Sequence, residues 1–220
     1  MSVADNLASI RRSIGDASVV LIAVTKYVGL DEMKEVFECG VTEFGESRIQ
    51  DALQKQKDMP PHMAEHIRWH FIGHLQSNKV RKALGHFVLI HSVHSKDLAE
   101  EISAQAVKMK IEQAVLLQVK LKDDPAKSGF SPEELLVSFE QINKLPGLKV
   151  DGLMTMTPLT ENKEIWRECF SGLKSLKEDL EKRYSVRLKE LSMGMSDDFE
   201  EAVKCGATMV RVGRAIFQKN

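Results

Sequence analysis

The chain has 220 residues, 43% of them hydrophobic, enough for one sizeable core of the size that α/β barrels reach as single units. A net charge of −1 gives no broad polyanion-binding surface, and no apolar run is long enough to span a bilayer. Cys39, Cys169 and Cys205 are odd in number, far apart and without metal spacing, which fits reduced thiols in the cytosol; the first fifteen residues lack the apolar segment of a signal peptide.

Ala4 to Ile14 places Leu7, Ile10 and Ile14 at helical spacing. Val19 to Tyr27 (VVLIAVTKY) is a short, continuous, β-branched run, the pattern of a strand buried on both faces. Lys26 lies near its end. A lysine there either marks where the strand meets water or serves as a desolvated, nucleophilic amine able to form a Schiff base. A helix over 31–39 stops at Gly40, and a strand over 42–44 leads through Gly45 to a polar helix over 48–57. Pro60-Pro61 breaks that helix. Strands are expected at 68–72, 87–93, 114–119, 148–153, 188–191 and 208–212. Between them lie helices at 78–85, 96–110, 133–144 (with Ser131 as N-cap and Pro132 in its first turn), 161–184 and 197–205. A last turn spans 214–218.

Eight strands, each followed by a helix, predict a single (β/α)8 barrel of the TIM type over residues 1–220. A doubly wound sheet is the alternative, but no glycine-rich dinucleotide loop follows the first strand. In a barrel the chemistry gathers at the carboxyl ends of the strands. Lys26, Ser47, the loop Ser192-Met193-Gly194-Met195-Ser196 and Arg211-Val-Gly213-Arg214 all fall there.

Loops after strands seven and eight commonly hold phosphate, and here they offer Ser192, Ser196, Gly213 and Arg214. The competing assignment has Ser196 merely capping the following helix. Arg211, inside strand eight, should point into the barrel mouth, because the outer face is buried under helices. His62, His66, His70 and His74 recur every four residues but straddle the double proline and a strand, so they cannot share a helical face, and no metal site is expected from them. His91 and His94 read as ordinary loop-proximal residues.

The segments AVTK (23–26), FGES (44–47), WHFIGHLQSNK (69–79), GLM (152–154), SMGMSDD (192–198) and VRVG (210–213) resemble the pyridoxal phosphate homeostasis proteins, barrels related to the N-terminal domain of alanine racemase. The resemblance spans essentially the whole chain. It implies a fold-type III barrel holding pyridoxal 5′-phosphate as an aldimine on Lys26. Ser192, Met193 and Ser196, with Gly213 and Arg214, would hold the phosphate; Arg211 would face the pyridine nitrogen. Three positions depart from the family pattern: Ser47 stands for an asparagine near the cofactor, Lys120 for an asparagine and His94 for an aspartate.

A racemase needs an acid/base group on each face of its substrate. Lys26 could serve one. Tyr27 should point away from it along the strand, and Tyr184 belongs at the far end of strand seven. Arg211 cannot readily protonate a pyridine, which weakens the ring as an electron sink. The expectation is therefore a monomeric cytoplasmic protein that buffers or delivers the cofactor, with cofactor-dependent apoenzymes as partners and no nucleic acid or membrane. The alternatives are a monomeric amino-acid racemase, with His70 or His94 as the second base, and an interaction protein that has lost its ligand.

Overall fold

The structure, a computed structural model, describes residues 2–122 and 128–218. In chain order the elements are α1 (Val3–Ile14), β1 (Val20–Val24), α2 (Leu30–Glu38), β2 (Glu43–Glu46), α3 (Ile49–Asp58), α4 (Pro61–Ala64) and β3 (Arg68–Phe71). A 3₁₀ turn (Ser77–Lys79), α5 (Val80–Ala83), β4 (Leu89–Val93), α6 (Lys96–Met109), β5 (Gln113–Gln118), α7 (Pro132–Asn143) and β6 (Leu148–Met154) follow. The chain closes through α8 (Lys163–Tyr184), β7 (Glu190–Ser192), α9 (Phe199–Lys204), β8 (Met209–Val212) and α10 (Arg214–Phe217).

All eight strands pair in parallel with their chain neighbours, and β1 pairs with β8, so the sheet is a closed barrel. Two apolar layers hold it. Inside the barrel, Ile22, Leu89, Leu116, Met154 and Met209 pack on one another. Outside it, residues such as Ala23, Phe44, Phe71, Ile90, Leu117, Leu153 and Val210 meet the inner faces of the helices, including Leu7, Val36, Phe139, Phe170 and Leu173. Alternate residues of each strand thus serve opposite layers, as the pleat requires.

The helix boundaries follow local chemistry. Ser131 caps α7 by accepting from the Glu134 amide, and Glu134 returns a bond to the Ser131 amide. Pro60-Pro61 ends α3 but also starts a helix, because Pro61 sits in the first turn of α4, where no amide is needed. β2 runs on through Gly45 to Glu46, one residue short of Ser47. α9 starts at Phe199, after Asp198, and Ser196 does not cap it.

Candidate functional site

At the carboxyl ends of the strands lies an open cleft of about 820 Å³. Its walls include Lys26, Tyr27, Ser47, Ser196, Arg211, Gly213 and Arg214. The barrel therefore brings six of the eight residues expected at the site to one cavity. Ser192 and Met193 are the other two, and both are buried and absent from the cleft walls. Ser192, at the end of β7, meets the cleft floor by accepting from Arg211 on β8.

Lys26 stands two residues beyond the end of β1, on an exposed turn. Its ammonium lies 5.0 Å from the centroid of the Tyr27 ring. The expectation that Tyr27 points away is wrong. Strand alternation stops at Val24, and the turn brings the phenol into the cleft wall beside Lys26. Beneath the turn, the buried Thr25 hydroxyl donates to Glu46 Oε1 at 2.8 Å, and Lys55 Nζ donates to the Thr25 carbonyl at 2.7 Å. Lys26 is thus mounted on a turn tied to β2 and α3.

The other wall is the loop 193–198. Ser196 Oγ accepts from the Ala215 amide at 3.2 Å, which fastens this loop to the start of α10 and leaves the hydroxyl's own proton for a ligand. Arg214 pairs with Asp197 at the rim. Gly194 has φ +93°, and a Cβ there would come within 2.6 Å of Ala202 Cβ, so the loop's seat on α9 requires glycine.

Arg211 forms the floor. Its guanidinium donates from Nη1 to Ser192 Oγ at 2.7 Å and from Nη2 to the Thr155 carbonyl at 3.0 Å. Burial pushes its pKa down to about 10, against a supporting field from Asp198, so it remains a cation at neutral pH.

The histidines are distributed differently from the sequence reading. His62 lies on α4, His70 on β3 and His74 in the loop after β3, off any common helix. His91 is not a loop-proximal residue; it is fully buried inside the barrel, 2.9 Å from His70 and 2.8 Å from Ser192 Oγ. Its position third along β4, in register with inward Leu89, was the available signal. His94 stacks on His74, with ring centroids 4.5 Å apart. Tyr184 donates to the Leu136 carbonyl at 2.6 Å, which occupies its phenol between α7 and α8.

The family model for the N-terminal domain of alanine racemase matches residues 1–220. A pyridoxal phosphate homeostasis protein of Aquifex aeolicus is 42% identical over 210 residues, covering 94% of this chain and 90% of the relative. The chain belongs to the pyridoxal phosphate homeostasis protein family. Among solved structures, PipY of Synechococcus elongatus PCC7942 is 38% identical. It aligns over 99% of this chain and 100% of its own, with TM-scores of 0.92 without PLP and 0.90 with PLP bound. An alanine racemase of Clostridium difficile 630 shares the barrel at TM-score 0.83 and 15% identity, with 57% of its chain covered. That likeness is one of fold. In this chain Lys26, just beyond β1, and Arg211, on β8, line one cleft.

The donor set suits the cofactor in PipY's structure. A primary amine, a buried guanidinium, two hydroxyls and a rim arginine offer partners for an aldehyde, a ring nitrogen and a phosphate dianion. Gly194 and the Ser196–Ala215 bond hold the corner between them in shape.

Proposed function

We propose that this protein binds pyridoxal 5′-phosphate at Lys26 and buffers or delivers it to maintain the intracellular vitamin B6 pool, with consequences for amino-acid metabolism. One observation carries the reading: a single cleft unites Lys26, Arg211 and the Ser196–Gly213–Arg214 corner, in a chain closely similar to PipY.

When bound, the cofactor supplies an aldehyde that a primary amine captures reversibly. Lys26 holds that amine on the anchored Thr25 turn. The Ser196 hydroxyl, the opening backbone of α10 at Gly213 and the Arg214 side chain form the anion-holding corner. Arg211, kept cationic on the floor, can only donate, and so it orients an acceptor without giving up a proton. Ser47 lines the wall where the family pattern has asparagine. Ser192 and Met193 serve from beneath, Ser192 through Arg211 and Met193 through its amide on the Met209 carbonyl at 3.1 Å.

The carrier reading is favoured over a racemase by the placement of the titratable groups. Lys26 and Tyr27 stand against each other on one wall, whereas two-base chemistry needs groups on opposite faces of the substrate. His70, weighed above as a second base, is buried with both ring nitrogens engaged. The cleft is also open to water. We place the protein in the cytoplasm as a monomer, with cofactor-dependent apoenzymes as recipients. Among the described residues, no helix is long and apolar enough to cross a membrane.

The test is cofactor titration of the purified protein followed by borohydride reduction and peptide mapping. The reading expects a visible band and a fixed adduct on the peptide containing Lys26, both lost in Lys26→Ala. A protein that takes up no pyridoxal phosphate overturns it, and sustained turnover of an amino acid overturns the carrier assignment.

A further inference from the structure

Asp198 carries a buried carboxylate that does not line the cleft; the residue is 3% exposed. It occupies the N-cap position of α9, yet its side chain makes no capping bond to that helix. A carboxylate taken out of water is costly unless donors meet its oxygens. Here two donors do. The Met195 amide donates to Oδ1 and the Thr157 hydroxyl to Oδ2, each at 2.6 Å.

The two donors belong to different loops of the cleft. Met195 lies after β7, between Gly194 and Ser196, so its bond to Asp198 fixes the backbone that presents the Ser196 hydroxyl to the anion corner. The same loop is pinned at Gly194, whose carbonyl accepts from the Arg211 amide at 2.9 Å. Thr157 lies after β6. Two residues before it, the Thr155 carbonyl accepts from Arg211 Nη2, and Met156 between them lines the cleft. Thr155 and Thr157 are both buried, and the Thr155 hydroxyl donates to the Val119 carbonyl at 2.8 Å. Where β6 and β7 end, the Thr155 amide still donates to the Ser192 carbonyl at 3.2 Å. Beyond that bond, the contact between Thr157 and Asp198 carries the connection on toward the rim. The negative charge of Asp198 also supports the Arg211 guanidinium, so the residue bears on the floor as well as on the corner.

Pyridoxal phosphate carries its phosphate on a single methylene, and the ring fixes where its nitrogen lies relative to that carbon. A site that grips both ends must hold its anion corner and its floor at a set spacing. We propose that Asp198 is the positioning residue that sets this spacing, by bracing the loop of the anion corner against the loop that holds the Arg211 guanidinium. The role rests on the proposed cofactor reading and adds selectivity to it. With the brace intact, the phosphate adds fully to binding. With the brace removed, each end can still meet its own half of the ligand, but the two halves no longer fit at once. Asp198 therefore decides how strongly the site prefers the phosphorylated form over pyridoxal.

Two measurements test it. The first is backbone amide hydrogen exchange in cofactor-free protein. The Met195 amide should exchange slowly in the wild type and about tenfold faster in Thr157→Val, which keeps the carboxylate and removes the brace. Equal rates mean that the loops are not braced through Asp198, and they overturn the proposal whether or not the cofactor binds.

The second is titration with pyridoxal phosphate and with pyridoxal, read by visible absorbance, for the wild type, Asp198→Ala and Thr157→Val. Pyridoxal closes to a hemiacetal in water, so each ligand is compared with itself across the three proteins. Affinity for pyridoxal phosphate should fall about tenfold in both variants, and affinity for pyridoxal by no more than about twofold. Equal losses for the two ligands are the mark of a merely structural residue. That result, or unchanged affinity for pyridoxal phosphate, overturns the spacing role alone. A wild type that takes up neither ligand overturns the cofactor reading and the spacing role with it. Thr157→Val decides the matter if Asp198→Ala fails to fold.

Discussion

Lys55 Nζ lies 2.5 Å from Glu46 Oε1, and the pair is enclosed: the two side chains are 14% and 0% exposed. Glu46 Oε2 has no hydrogen-bond partner, so the carboxylate depends on Lys55 and the Thr25 hydroxyl for its compensation. Removing one partner of a buried pair strands the other charge. Lys55→Met should therefore destabilise the protein by about 3–5 kcal/mol in urea unfolding. The double variant Glu46→Leu/Lys55→Met should recover most of that loss. Additive losses would mean that the pair is not coupled.

Gly73 marks a point where two segments at the cleft nearly touch. A Cβ at this position would fall 2.0 Å from the Ser47 carbonyl oxygen and 2.6 Å from Ser47 Cα, all of it backbone. Gly73→Ala must push the Ser47 strand end outward. We expect a stability loss of about 1–3 kcal/mol together with weaker cofactor uptake, measured by thermal unfolding and by titration. Unchanged uptake would place Ser47 outside the binding wall.

Only strong acid should undo the ion pairs that dock α8 against α9. Glu201 accepts from Arg167 Nε at 2.8 Å and from Lys204 Nζ at 2.9 Å, and these bonds lower its carboxyl from 4.5 to about 2. Its folded pKa lies below its unfolded one, so its contribution is fully present above pH 4.5 and is lost as pH falls through about 2. The melting temperature of the wild type should drop across that window more steeply than that of Glu201→Gln. Parallel curves would remove Glu201 from the account.

Ser131 offers a local control far from the cleft. Its hydroxyl accepts from the Glu134 amide at 3.1 Å at the start of α7. Ser131→Ala should cost about 1 kcal/mol and leave cofactor uptake as in the wild type.

Much of this architecture is legible in the chain because helix and strand carry different apolar periods. The Ser131-Pro132 start of α7 and the Lys26, Arg211 and Ser196 positions follow from local chemistry and the barrel rule. What escapes is set by neighbours distant in sequence. Ser196 looks like a helix cap, but its partner is the Ala215 amide after the neighbouring strand β8. His91 resembles a loop residue until β3, β7 and β8 close around it. Tyr27 defeats the alternation rule because β1 ends three residues before it. Ser192 sits at the expected strand end, yet its hydroxyl is drawn inward by Arg211.

The pairing of β1 with β8 also bears on how the protein is made. Val20, Leu21, Ile22 and Ala23 register with Met209, Val210, Arg211 and Val212, so the first strand waits for the last. A ribosome exposes Lys26 long before Arg211 and Gly213 leave the exit tunnel. The half-made chain carries the amine without the floor or the anion corner, and the cleft forms only when the final strand zips into place. On the proposed reading, a nascent chain therefore lacks a complete cofactor cleft until its last strand is in place.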